Sequence, residues 1–184
     1  MRTAKDESNL PKRYYRPEMN RCPHCQWKLK RGYKLWHKHL VMLTGRFYVI
    51  SFGYHCSNPD CPQPTLVYRS VEAEALSLPG CSYGLDVIVE VGYQRFWLHR
   101  TIDEIHHTLK DWVPISERQI LNLITNFLAL LRAGQPAKVA QLQPHWQDLG
   151  GLILSIDGMQ PEKGNPALYV VREVQRDITL MAEI

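Results

Sequence analysis

Apolar residues change their spacing several times along the chain, and each change marks an element. His39–Leu43 (HLVML) and Arg46–Cys56 (RFYVISFGYHC) are rich in β-branched and aromatic residues, with the turn signal Thr44-Gly45 between them, so this stretch predicts a β-hairpin. From Leu85 the spacing becomes helical, with Val87, Ile88, Val91, Gly92 and Phe96 near i, i+3, i+4 and i+7. TIDE (Thr101–Glu104) reads as a capping box that opens a short helix carrying Ile102, Ile105 and Leu109 inward. WVPI breaks that helix, and SERQ (Ser116–Gln119) opens another with a stripe of Ile120, Leu123, Ile124, Phe127, Leu128 and Leu131. The last apolar runs, LILSIDGMQ (Leu152–Gln160), ALYVVREV (Ala167–Val174) and ITLMAEI (Ile178–Ile184), are separated by the turn clusters PEKGNP and QRD and predict an antiparallel meander.

Punctuation by Gly, Pro and polar residues then divides the chain. A basic tail spans 1–20, a cysteine-bearing segment 21–66, a helical region 85–133, a connector 134–150 and a strand-rich end 151–184. The fold class expected is α+β. With 184 residues, 45% of them hydrophobic, the chain is expected to build a packed core. It begins with scattered charges and holds no apolar run of bilayer length, which predicts a cytoplasmic protein with no membrane partner.

The net charge of +4 is small but unevenly placed. Between Lys12 and Arg46 the basic residues, Lys30 and Arg31 among them, face a single acid, Glu18, and are interleaved with Tyr14, Tyr15, Trp27, Tyr33 and Trp36. A one-sided field with aromatic interleaving fits a polyanion-binding face. A solvated surface is the plainer alternative.

Five cysteines, an odd number, in a reducing compartment argue against a disulfide framework. Cys22 and Cys25 (CPHC) pair with Cys56 and Cys61 (CSNPDC) across the predicted hairpin, which would bring the two knuckles together. Four thiolates suit a tetrahedral Zn2+, and the metal would then act as the core of a segment too small to have one. The expectation is a zinc ribbon with Cys22, Cys25, Cys56 and Cys61 as ligands. The alternative for CPHC, a thioredoxin-like redox site, lacks its βαβ context; His24 and His55 are neighbouring substitutes for a ligand, and Cys81 lies outside the spacing.

Two capped helices joined by a turn have the pattern of a helix-turn-helix, whose second helix enters the major groove of duplex DNA. The polar residues off its apolar stripe are then the candidates for base and phosphate contacts: Arg118 bidentate to guanine, Gln119 or Asn122 to adenine, with Glu117 and Asn126 beside them. The alternative is a helical hairpin with a wet polar face.

Asp157 interrupts an apolar run. Asp157-Gly158 could form a hairpin turn, but the cluster Pro161–Pro166 follows too closely to leave room for another strand, so Asp157 is expected inside the first strand of the meander. A cysteine ribbon, a helix-turn-helix and LILSIDGMQ followed by two strands, in that order, resemble the N-terminal portion of bacterial insertion-sequence transposases of the DDE class. The resemblance implies that residues 151–184 begin an RNase H-like catalytic domain, that Asp157 is its first catalytic carboxylate, and that the remaining Asp and Glu of the triad lie beyond residue 184. Mg2+ would bind only to a complete triad, so the chain is expected to recognise transposon-end DNA without cutting it. Implied partners are double-stranded DNA and either a second copy or an intact transposase. A stand-alone DNA-binding regulator is the alternative, and a nuclease pairing Asp157 with Glu173 a third.

Overall fold

The computed structural model describes residues 9–148, 151–159, 168–175 and 177–183. They form a mixed α+β protein with two three-stranded sheets and four helices among the described residues. The chain divides into two compact units, 1–127 and 128–184.

The first unit opens with β1 (Lys12–Tyr15), followed by a long hairpin of β2 (Leu29–Met42) and β3 (Gly45–Cys56) in the order β1-β3-β2. The predicted turn is present, and Gly45 holds φ at 127°, a backbone conformation that residues with a side chain rarely adopt. Part of the expected basic tail is therefore a strand: Lys12–Tyr15 pair in parallel with Tyr48–Ser51. Side-chain contacts fix it there, with the Arg13 guanidinium 3.5 Å from the Phe47 ring centroid and Tyr14 stacked on Phe52. Two register shifts in β2, between Arg31 and Lys34 and between Lys34 and Trp36, change which residues share a face.

Helix α1 (Val71–Glu74) follows, then α2 (Leu85–Phe96), α3 (Ile102–Leu109) and α4 (Glu117–Asp148). Val87, Ile88, Val91, Ile105, Leu109, Val113, Ile120 and Leu123 are almost wholly buried and form the apolar interior of this region. A Cβ on Gly92 of α2 would lie 2.4 Å from the Phe127 ring, so the absence of a side chain there is what lets α4 come so close. The hairpin tip is tied to α2 by Asp86, whose carboxylate accepts the Leu43 amide at 2.8 Å and the Val87 amide at 2.8 Å.

The connector expected at 134–150 is instead helical as far as Asp148, and Pro136 and Pro144 lie inside α4. Each proline removes one helical hydrogen bond. Between them the sequence is Ala, Lys, Val, Ala, Gln, Leu and Gln, mostly strong helix formers.

The second unit carries β4 (Leu154–Met159), β5 (Leu168–Glu173) and β6 (Ile178–Glu183), an antiparallel meander in the order β4-β5-β6. Asp157 lies within β4 opposite Val170, as a strand residue rather than a turn residue. The strand is not buried as its apolar sequence suggests: Ile153, Leu154 and Ile156 are half or more exposed. Among the described residues β4 has one strand neighbour, β5, and is an edge of the sheet. The turn cluster Pro161–Pro166 lies outside the described residues.

Candidate metal centre and nucleic-acid face

The hairpin register places Leu29 opposite Cys56, so the segment before β2, which carries Cys22 and Cys25, returns to the end of β3, where Cys56 and Cys61 sit. The Cys22 amide bonds to the Trp27 carbonyl and the Gln26 amide to the Cys22 carbonyl, closing the first knuckle, with Gln26 in the left-handed region at φ 58°. All four sulfurs lie within 4.8 Å of one another, with Cys22 and Cys61 3.7 Å apart and Cys25 and Cys56 3.4 Å apart. Zn–S bonds of about 2.3 Å in a tetrahedron set sulfurs about 3.8 Å apart, so this quartet fits a zinc ion closely. The gaps are much wider than the roughly 2.05 Å of a disulfide. Cys81 is outside the cluster.

The ring of atoms around the sulfurs favours a metal-binding role. Amides of Asn58 and Gln63 donate to Cys56 and Cys61 at 3.4 and 3.5 Å. Burial disfavours the Cys22 thiolate, but hydrogen bonds from the Tyr68 hydroxyl at 3.3 Å and from the His24 and Cys25 amides outweigh it and bring the thiol down to about 6. At Cys61 the Gln63 amide favours the thiolate, while burial and the neighbouring sulfurs push the thiol up to about 12. Burial also raises Cys56. Crowded thiolates of this kind are stable together only when a cation neutralises them. The apolar cluster of the ribbon consists of Cys22, Cys56 and Cys61 with Leu29 and Tyr68, flanked by Cys25 and Tyr54. The cysteines themselves are therefore the core.

The basic residues are divided by the sheet. Lys30 is paired with His55 and Arg31 with Tyr54, so the two adjacent cations project to opposite faces. Arg31 stands 4.5 Å from the Phe52 ring centroid. Lys38 is turned inward instead, donating to the Leu78 and Cys81 carbonyls at 3.2 and 3.1 Å, and its burial lowers its pKa.

Both predicted capping boxes form. Thr101 and Glu104 exchange hydrogen bonds at the start of α3. Ser116 and Gln119 do so at the start of α4, where the Gln119 carbonyl oxygen accepts the Ser116 amide at 2.8 Å. Part of the Gln119 side chain is thus occupied by the cap. Arg118 and Asn122 are exposed. Gln119, Asn122 and Asn126 line an open depression of about 450 Å³ with the loop Leu78–Tyr83, whereas Arg118 lies outside it. The connection from α3 to α4 runs from Lys110 to Ser116, longer than the three or four residues usual in a helix-turn-helix, and it plugs Val113 and Ile115 into the interior. A smaller cleft of about 220 Å³ is lined by His39 and Arg46 of the ribbon and by Gln119 of α4.

Asp157 and Glu173 do not face each other. Asp157 is opposite Val170, while Glu173 is three positions further along β5, opposite Leu154, and alternation sends the two carboxylates to opposite faces. Glu173 is fully buried and accepts the Gln175 amide at 2.9 Å.

No pattern in the sequence predicts α1. Its start is capped by Ser70 and by the distant Glu18, which accepts hydrogen bonds from Ser70 and from the Val71 and Glu72 amides. No helix among the described residues is long and apolar enough to cross a membrane. Comparison with family models, curated proteins and solved structures gave no match.

Proposed function

We propose that this chain is a transposase-type DNA-binding protein, corresponding to the N-terminal part of a DDE transposase and recognising transposon-end duplex DNA without cleaving it. The observation that carries this reading is the cleft lined jointly by His39, Arg46 and Gln119, because it joins the cationic ribbon to the start of α4. In this reading zinc is structural and holds the ribbon rigid, while exposed cations displace counterions from phosphates. Arg118 and Asn122 contact base edges from the first turns of α4.

Glu173 is turned away from Asp157, which tells against a nuclease pairing those two carboxylates, and leaves as the second reading a stand-alone DNA-binding regulator. Both readings require duplex binding. The test is a selection of bound duplexes from random DNA followed by titration over salt concentration. Affinity should fall steeply with salt, and Arg118→Ala should relax sequence preference while Lys30→Ala weakens all sequences alike. Equal losses on selected and random duplexes for Arg118→Ala would remove α4 from the groove. Salt-independent binding, or none, would refute the function.

A further inference from the structure

The outer face of the ribbon sheet has a composition that duplex recognition by α4 does not use. Its central strand β3 carries Tyr48, Ile50, Phe52 and Tyr54 at alternate positions, of which Ile50 is buried and Tyr54 packs against the cysteine cluster, while Tyr48 and Phe52 are partly exposed. Their β2 partners on the same face are His39, His37, Lys34 and Arg31. An unbroken alternation would send Lys34 to the other face from Arg31, His37 and His39. The two register shifts on either side of Lys34 bring it into their row. On the other side β1 adds Lys12 opposite Tyr48 and Tyr14 opposite Ile50. An aromatic row is thus flanked by cations, and none of the three strands contains an Asp or Glu.

The rings are arranged for stacking. Tyr14, 63% exposed, lies nearly parallel to Phe52, with an interplanar angle of 11° and centroids 6.4 Å apart. Arg31 covers Phe52, and both His37 and His39 lean on Tyr48. In a duplex the base faces are covered by their neighbours and unavailable to an aromatic side chain. Aromatic rings with a cationic border are the elements that bind an unpaired strand, through base stacking and phosphate contacts respectively.

We infer that the outer face of the β1-β3-β2 sheet binds single-stranded DNA, with the exposed Tyr14 stacking on a base and Arg31 and Lys34 contacting the phosphates. This rests on the reading that the protein acts on DNA, and it gives the bases of the unpaired strand to Tyr14, which does not line the cleft of His39, Arg46 and Gln119.

The experiment is fluorescence anisotropy on the zinc-loaded full chain with three probes: a twelve-nucleotide oligothymidylate, an abasic strand of the same length, and a duplex. Tyr14→Ala, Tyr14→Phe, Arg31→Ala and Arg118→Ala are compared with the parent, each checked for unchanged zinc content and circular dichroism. Oligothymidylate should bind at least about ten-fold more tightly than the abasic strand, since stacking is lost with the bases while the phosphates remain. Tyr14→Ala should lose about ten-fold on oligothymidylate, Tyr14→Phe should restore it, and neither should change duplex affinity. Equal binding of the abasic and thymidylate strands would overturn the inference, as would equal losses of Tyr14→Ala on single strand and duplex. Duplex binding without single-strand binding would overturn it while leaving the proposed function standing. Single-strand binding dependent on Tyr14, with no duplex binding, would support it and refute recognition by α4.

Discussion

Glu18 is the lone acid between Lys12 and Arg46, and its position follows from what it caps rather than from the charges around it. Hydrogen bonds from the Glu72 amide, its own amide and the Val71 amide, then from Ser70, bring its carboxyl down from 4.5 to about 2. A carboxyl lowered by folding adds stability that is fully present above its unfolded value and is lost as pH falls through its folded value. The tie between Glu18 and α1 should therefore persist at pH 5 and weaken from about 4.5 towards 2. Amide chemical shifts of Val71 and Glu72 should titrate with a midpoint near 2, and Glu18→Gln should abolish that titration; a midpoint near 4.5 would show that the cap does not form. The cysteines permit an equally local prediction. Cys61→Ser should abolish stoichiometric zinc by elemental analysis, whereas Cys81→Ser should retain it, because apparent zinc affinities of about 10–16 kcal/mol in small sites need the full ligand set. Zinc retained in Cys61→Ser would exclude Cys61 as a ligand.

Helices α2 and α4 approach through Gly92, and two effects compete when a side chain is placed there. Alanine is a better helix former than glycine by about 1 kcal/mol, but its Cβ would lie 2.4 Å from Phe127. Phe127 has little freedom to yield, since it stacks on Phe96 with centroids 5.9 Å apart, and overpacking of this kind costs about 1–3 kcal/mol. Gly92→Ala should therefore lower stability by about 1–2 kcal/mol in denaturant unfolding, whereas in a Phe127→Ala background the same change should be neutral or stabilising. The same effect in both backgrounds would show that the close approach is not what constrains position 92. The elements that were legible in the sequence are those whose causes are close together in the chain: the hairpin and its turn, the two capping boxes, the paired cysteines and the meander. Those that were not have distant or opposing causes. Strand β1 depends on Tyr48–Ser51, and α1 draws part of its cap from Glu18. The full length of α4 was hidden because Pro136 and Pro144 are helix breakers by sequence, yet both lie inside it. At the candidate nucleic-acid face, composition marked the cations, but only the register shifts in β2 determine that Arg31 and Lys34 share a face while Lys30 does not.

At the scale of the whole molecule, the first unit is organised around a thiolate cluster and a helical interior, while the second, among the described residues, carries a sheet with β4 and β6 as its edges. Leu154 and Ile156 project to one face of β4, and both are strongly exposed, Ile156 at 72%. An exposed apolar edge strand pairs readily with another copy of itself, because its unpaired amides and carbonyls gain hydrogen bonds while apolar surface leaves water. The full chain should consequently associate as its concentration rises, and a charge on that edge should suppress the association. Ile156→Lys should reduce the weight-average mass measured by sedimentation equilibrium towards that of a monomer without altering zinc content or DNA affinity. Asp157→Asn, one residue along and on the opposite face, should leave association nearly unchanged. It should also leave duplex binding unchanged, and neither the parent nor the variant should cleave DNA with Mg2+ or Mn2+. Association that persists in Ile156→Lys would place the contact elsewhere. Metal-dependent cleavage lost in Asp157→Asn would require a carboxylate partner on the Asp157 face and would make the chain a nuclease.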